Sequence, residues 1–160
     1  MNDGIERIYA IEAVKLTEPV VLPLPNEGGK LCAASIPEIA ALLPKMDAVL
    51  FGSGSGLGEG TEAVLLFLLK NCACPLILDA DGINMMRAHR DLLRGRKETT
   101  ILTPHDMEFQ RIGGIISTDR AESAAALARD LGCIVLLKGH ETVITDGNCC
   151  YRNCTGNPGM

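Results

Sequence analysis

At 160 residues the chain is one domain's length, enough to bury about 70% of its unfolded surface, so a self-sufficient core is within reach. Hydrophobic residues make up 47% of the sequence but aromatics only 3%, with no Trp, so the core must be built from Val, Ile, Leu and Ala, which suits a sheet covered by helices. The net charge of -5 is spread over mixed signs without a basic block, which argues against nucleic acid as a partner. No apolar run approaches the ~18 residues of a membrane span, and no leader pattern opens the sequence. The expectation is a soluble, cytoplasmic protein acting on small molecules.

The first ~45 residues are broken by Pro19, Pro23, Pro25, Pro37 and Pro44 and leave room for one or two strands and a short helix. Four short apolar runs then read as strands covered on both faces: Ala48 to Phe51, Pro75 to Leu78, Thr99 to Leu102 and Ile134 to Leu137. Helical patterns lie at Thr61 to Lys70, Gly82 to His89, Asp106 to Ile112 and Asp119 to Leu131, with Asp119 placed to cap the last. This alternation predicts right-handed βαβ units and a mostly parallel sheet, with ligands at the carboxyl ends of its strands. Beyond Leu137, Thr142 to Thr145 and Cys149 to Arg152 flank Asp146-Gly147 and predict an antiparallel hairpin at the sheet edge. No linker or repeat divides residues 1–160, which read as a single, partial domain.

The seven cysteines form no CxxC pair, and His89, His105 and His140 lack zinc-ligand spacing, so reduced, mostly buried thiols are expected.

Four segments at strand ends carry candidate chemistry. Gly52-Ser-Gly-Ser-Gly-Leu-Gly58 fits neither common nucleotide fingerprint, and reads either as a backbone cradle for phosphate or ribose or as a tight turn into a helix. Asp79 and Asp81 suit a hydrated metal or polar substrate, or equally an Asx turn with a helix cap, and are too few for a closed metal site. Pro104 halts a strand and presents His105 as a ligand contact, a proton carrier or a capping residue, with Glu108 a favourable first-turn charge. Lys138 leaves a buried strand beside Gly139, where its ammonium can meet a phosphate or simply solvent.

Taken in order, Gly54-Ser-Gly-Leu-Gly58, Asp79-Ala-Asp-Gly-Ile-Asn84, Leu102-Thr-Pro-His-Asp-Met-Glu-Phe109, Lys138-Gly-His-Glu-Thr142 and Gly156-Asn-Pro-Gly-Met160 resemble the ADP-dependent NAD(P)H-hydrate dehydratases, from about Tyr9 onward. The resemblance implies a ribokinase-like three-layer α/β/α sandwich, here incomplete, and usually a homo-oligomer. It implies dehydration of (6S)-hydrated NADH or NADPH (NADHX or NADPHX) to NADH or NADPH, driven by ADP or ATP with Mg2+. By matched motif positions, Gly58 and His105 would contact the hydrated nicotinamide nucleotide, while Lys138, Gly139, His140, Glu141 and Thr142 would form the adenine-nucleotide stretch. The chain departs from the family at Ser55, where Pro is usual, and at Asp106-Met107, where Pro-Gly is usual. The family's general-base Asp and Gly-rich anion hole would follow Met160, and its opening strand and helix are not matched. The resemblance therefore implies a fragment truncated at both ends. A missing base costs about 10²–10⁴ in rate and a missing oxyanion donor about 10²–10³ more, so no useful activity is expected from these residues alone. Exposed apolar sheet surface is expected as well. A small-molecule kinase of the same fold, and a non-catalytic nucleotide-binding or assembly module, are the alternatives.

Overall fold

The computed structural model describes residues 14–15 and 18–155; Gly156 to Met160, and Tyr9 at the start of the likeness, lie outside them. Two short strands, β1 (Asn26–Glu27) and β2 (Lys30–Leu31), pair antiparallel across Gly28-Gly29. They lead through a 3-10 turn into helix α1 (Ile36–Leu42), which has Pro37 in its first turn, where no backbone donor is needed.

The main sheet contains β3 (Val49–Phe51), β4 (Leu76–Leu78), β5 (Thr100–Leu102), β6 (Ile134–Leu137), β7 (Val143–Thr145) and β8 (Cys150–Arg152), side by side in that order. β3 to β6 are parallel, and the β7–β8 hairpin is antiparallel, as the alternating pattern and the Asp146-Gly147 turn predict. Between the strands lie α2 (Glu59–Asn71), α3 (Asp81–Met86), α4 (Arg90–Arg94), α5 (Asp106–Arg111) and α6 (Arg120–Leu131). Asp119 caps α6, its Oδ1 accepting from the N–H groups of Ala121 and Glu122 at 3.0 and 3.2 Å, and Gly132 ends that helix in the left-handed conformation.

The helix expected over Gly82 to His89 ends early, at Met86, and a separate short helix that the sequence pattern does not predict begins at Arg90. His89 turns the chain there and is held by Glu62 of α2, Nε2 to Oε1 at 2.5 Å; this partner lies 27 residues away, beyond the reach of a local periodicity argument.

The sheet is one-sided among the described residues. Phe51, Leu76, Leu78, Leu102, Val135, Leu137 and Val143 are buried, packed with Val64, Leu65 and Leu68 of α2, Ile83 and Met86 of α3, Phe109 of α5 and Leu127 and Leu131 of α6. On the opposite face, Leu50 is in register with Ile77 and Ile101, and Ile144 with Leu136 and Tyr151. None of these six is fully buried, and Leu50 and Tyr151 are 62% and 61% exposed. The apolar runs expected to be covered on both faces are thus sealed on one, because every described helix of the core packs on that side. The cysteines also differ from expectation. All seven are free, but only Cys32, Cys72 and Cys133 are buried, since the hairpin carrying Cys149 and Cys150, and Cys154 after it, lies at the sheet edge.

Candidate active site

The carboxyl ends of β3 to β6 meet at one carboxylate. Asp79 follows β4 directly, and its Oδ1 accepts from Lys138 Nζ and from Thr103 Oγ1, both at 2.8 Å, while Oδ2 accepts from Ser53 Oγ at 2.9 Å. Ser53, Thr103 and Lys138 follow β3, β5 and β6, so a single side chain joins four strand ends. Backbone bonds continue the ladder past the strands beneath it: Asp79 N–H to Phe51 O, Thr103 N–H to Leu78 O and Lys138 N–H to Pro104 O. Burial alone would raise the pKa of Asp79. The hydrogen bonds from Lys138, Thr103 and Ser53, with the ammonium charge, outweigh it and hold the carboxyl at a pKa of about 2.

The backbone around Asp79 is packed tightly enough to dictate residue type. Gly52 has φ +120°, and a Cβ there would fall 2.0 Å from Asp79 O and 2.5 Å from Gly82 N. Ala80 has φ 47° and ψ -115°, the second position of a turn closed by Gly82 N–H to Asp79 O at 2.9 Å. That region strongly favours glycine, and a side chain held there stores strain of about 1–3 kcal/mol. Asp81 turns the other way and accepts from Gly56 N–H at 3.0 Å, pinning the glycine loop. Neither acid caps α3, so the Asx-cap alternative is not what the chain adopts here.

His105 is the N-cap of α5. Its Nδ1 accepts from Met107 N–H at 3.1 Å and Glu108 N–H at 3.3 Å, and Glu108 Oε2 accepts from His105 N–H at 2.9 Å, a reciprocal capping box. Because Nδ1 is an acceptor, the ring proton belongs on Nε2, which lies 3.3 Å from Glu108 Oε1. His105 is therefore a fixed, half-exposed N–H donor. Glu108 is more than a first-turn charge: it is 5% exposed, and its Oε2 also lies 4.0 Å from Lys138 Nζ.

The segment from Lys138 to Thr142 is a tight turn. Gly139 has φ +151°, Glu141 has φ 55°, and Thr142 Oγ1 donates to Gly139 O at 3.0 Å. Arg120 braces it from below, donating through Nη2 to Lys138 O at 3.0 Å and pairing through Nη1 with Asp106 at 2.8 Å. Asp106, one of the departures from the family pattern, is thereby accounted for as the anchor of that brace. His140 and Glu141 are exposed, and Arg152 pairs with Glu141 at 3.0 Å.

Of the residues singled out from sequence, the structure brings His105 and Lys138 together through Glu108. Gly58 stands apart at the start of α2, on an open groove of about 510 Å³ also lined by Glu59, Glu62, Asn84 and Arg87. Ser53, Thr103 and Lys30 were not legible as site residues. Ser53 and Thr103 each follow a strand by one or two positions, a usable signal once the strands are known; Lys30, which donates to Leu57 O at 3.2 Å across the glycine loop, gives no such signal.

Comparison with known proteins follows the same lines. The sequence matches the family model described as NAD(P)H-hydrate dehydratase over residues 10–160. The Bifunctional NAD(P)H-hydrate repair enzyme Nnr of Salinibacter ruber is 36% identical over 146 residues, 88% of this chain and 27% of the relative. A ribokinase-like superfamily protein from Enterococcus faecalis superposes with a TM-score of 0.67 at 25% identity, covering 80% of this chain and 46% of that one. An ADP/ATP-dependent NAD(P)H-hydrate dehydratase from Bacillus subtilis, co-crystallized with ATP/Mg2+ and soaked with CoA, superposes with a TM-score of 0.54 at 29% identity, covering 77% and 52%. The fold is α/β and ribokinase-like. The chain spans less than a third of the curated relatives it matches and about half of the solved ones.

Proposed function

Because the chain belongs to the NAD(P)H-hydrate dehydratase family, we propose that it contributes parts of two nucleotide sites to an enzyme that uses ADP or ATP to drive loss of water from (6S)-hydrated NADH or NADPH. The observation that carries this reading is the placement of His105 and Lys138 on either side of Glu108, at the ligand-binding end of a parallel sheet. His105 offers its Nε2–H to a hydroxyl or amide oxygen of the hydrated ring, and Gly58 leaves the mouth of the neighbouring groove free of a side chain. Lys138 offers charge to a phosphate, and the turn through Thr142 offers backbone to the rest of the nucleotide. Hydroxide is a poor leaving group and phosphate a better one, so holding a phosphoryl donor beside the hydrate is the chemical task, and it is largely positioning and charge stabilisation.

Mg2+ fits the donor set in a limited way. Among the described residues no group of three or more His, Cys, Asp or Glu could hold a metal, but an ion arriving on phosphates needs only one or two carboxylates. Asp79 and Glu108, both beside Lys138, are the hard-oxygen candidates. The ion would supply neutralisation of phosphate charge.

The same proposal includes a homo-oligomer in the cytoplasm. Exposed Leu50 and Tyr151 on the unsealed sheet face support association, and no described helix is long and apolar enough to cross a membrane. Size-exclusion chromatography with light scattering should show more than one copy; a stable monomer would remove oligomerisation from the reading.

Calorimetric titration of ADP and AMP into the 160-residue chain tests the nucleotide half. Micromolar binding, about -8 kcal/mol, that weakens at least tenfold in Lys138→Ala is expected. A folded chain that binds neither nucleotide, or a mutant that binds equally well, would overturn the assignment of Lys138.

A further inference from the structure

At the opposite end of β4 from Asp79 lies a second chemical cluster that the dehydratase reading does not use. Cys72 ends α2, its N–H bonded to Leu68 O at 2.9 Å, and Cys74 stands just before β4. Their Sγ atoms are 3.5 Å apart, and Cys72 Sγ also donates to Cys74 O at 3.4 Å. Arg96 fixes the segment on both sides of the pair: Nη1 donates to Leu69 O at 3.1 Å, Nη2 to Cys74 O at 3.2 Å, and Nε to Thr100 Oγ1 at 2.9 Å. The two thiols are thus held in contact by a braced backbone. Cys72 is 4% exposed, Cys74 is half-buried, and Cys72 opens onto a groove of about 470 Å³ lined also by Lys70, Asp91, Arg96, Lys97 and Glu98.

We propose that Cys72 and Cys74 form a redox modification site, a dithiol that takes oxidising equivalents from a low-molecular-weight disulfide and closes to a Cys72–Cys74 disulfide. The more exposed Cys74 attacks one sulfur of R–S–S–R as its thiolate, forming Cys74–S–S–R and releasing R–S⁻, which takes up the proton Cys74 gave up. Cys72 then attacks Cys74 Sγ as its thiolate and expels the second R–S⁻, which takes the Cys72 proton. Two thiols are oxidised by two electrons and one disulfide is reduced to two thiols.

Closure between residues two apart gains little chain entropy, so the product is readily reduced and the site resets rather than serving as a permanent staple. Loss of surrounding solvent, followed by the neighbouring Cys72 thiol, raises the Cys74 pKa above its ordinary value, so the resting form is the thiol. Cys133, also buried and pushed up to about 12, has no such partner in contact.

Trypsin isolates the pair: cleavage after Lys70 and Arg87 releases Asn71 to Arg87, in which Cys72 and Cys74 are the only cysteines. The folded chain is equilibrated with mixtures of oxidised and reduced glutathione, free thiols are blocked with iodoacetamide, and the digest is read by mass spectrometry. This peptide is expected lighter by two hydrogens and unalkylated, reverting to the doubly alkylated form after dithiothreitol. At one glutathione ratio, more of it should be oxidised in the native chain than in urea, because the fold holds the sulfurs together. Cys74→Ser should leave Cys72 alkylated. Two alkyl groups at every ratio, glutathione retained on Cys74, a cross-link to another peptide, or equal oxidation in urea would each overturn the proposal.

Discussion

Replacing Asp79 by Asn keeps the shape of the side chain and removes the charge that joins four strand ends. The pKa falls from the ordinary 3.8 to about 2 in the fold, a difference of about 1.8 units. At 1.36 kcal/mol per unit this is about 2.4 kcal/mol of stability carried by the ionised form. Asp79 is 26% exposed but Lys138 is 41% exposed and regains water when freed, so a loss of about 2 kcal/mol is the expected ceiling. The folded value lies below the unfolded one, so the contribution is complete above about pH 5 and disappears as pH falls through 3.8 towards 2. Urea unfolding of wild type and Asp79→Asn from pH 2 to 7 measures it. The stability gap should be widest near neutrality and close at the acid end, with the melting temperature of the mutant at pH 7 lower by about 4–8 °C. Using the difference between the two proteins cancels the titration of other carboxylates. A gap that does not change with pH would show that Asp79 acts by shape, and the electrostatic account of the strand-end junction would fail.

Two backbone predictions test the packing beneath that junction. Ala80→Gly should stabilise the chain by about 1 kcal/mol, the strain of about 1–3 kcal/mol less the about 0.5–1 kcal/mol entropic cost of glycine, and raise the melting temperature by about 2–4 °C; an unchanged or lower value would contradict the turn geometry. Gly52→Ala should cost about 3 kcal/mol or more, because the new Cβ meets the backbone of Asp79 and Gly82 at an unfavourable φ. A wild-type urea midpoint for that variant would refute the close approach.

The order of the parallel strands and their helices was legible because each strand from β3 to β6 is a short apolar run closed by a polar or glycine residue, and Asp119 announces α6 by its type alone. The early end of α3 and the separate α4 after it were not, since the turn between them depends on His89 finding Glu62 on another helix. At the site, Lys138, His105 and the two acids stood out by residue type at strand ends. Their roles did not: Asp79 holds protein donors and Asp81 pins a loop, while His105 caps a helix through the nitrogen that a proton carrier would need free. One strand or helix at a time, the sequence cannot say which polar group meets which, because the meeting requires four strand ends in one register. The cysteine pair shows the same gap, since a Cys-x-Cys spacing is silent until Arg96 is seen bracing both sides of it.

On the proposed role of Lys138, the junction also bears on how a phosphate would be held there. A phosphate oxygen reaching that nitrogen sits near the Asp79 carboxylate, and two like charges about 5 Å apart at an effective dielectric of about 20 repel by about 3 kcal/mol. That repulsion rivals the attraction gained from the lysine, so binding depends on what Asp79 keeps when Lys138 turns away. Thr103 and Ser53 supply the answer, because their hydroxyls donate to Oδ1 and Oδ2 through bonds of their own, separate from that of the lysine. On that proposal the carboxylate should stay hydrogen-bonded and in place while the ammonium turns to the ligand. In Thr103→Val the two sites should separate: ADP affinity falls several-fold although no ligand contact has been removed, and the Asp79 pKa rises. Unchanged ADP affinity in that variant would mean that Lys138 never has to leave Asp79 to bind.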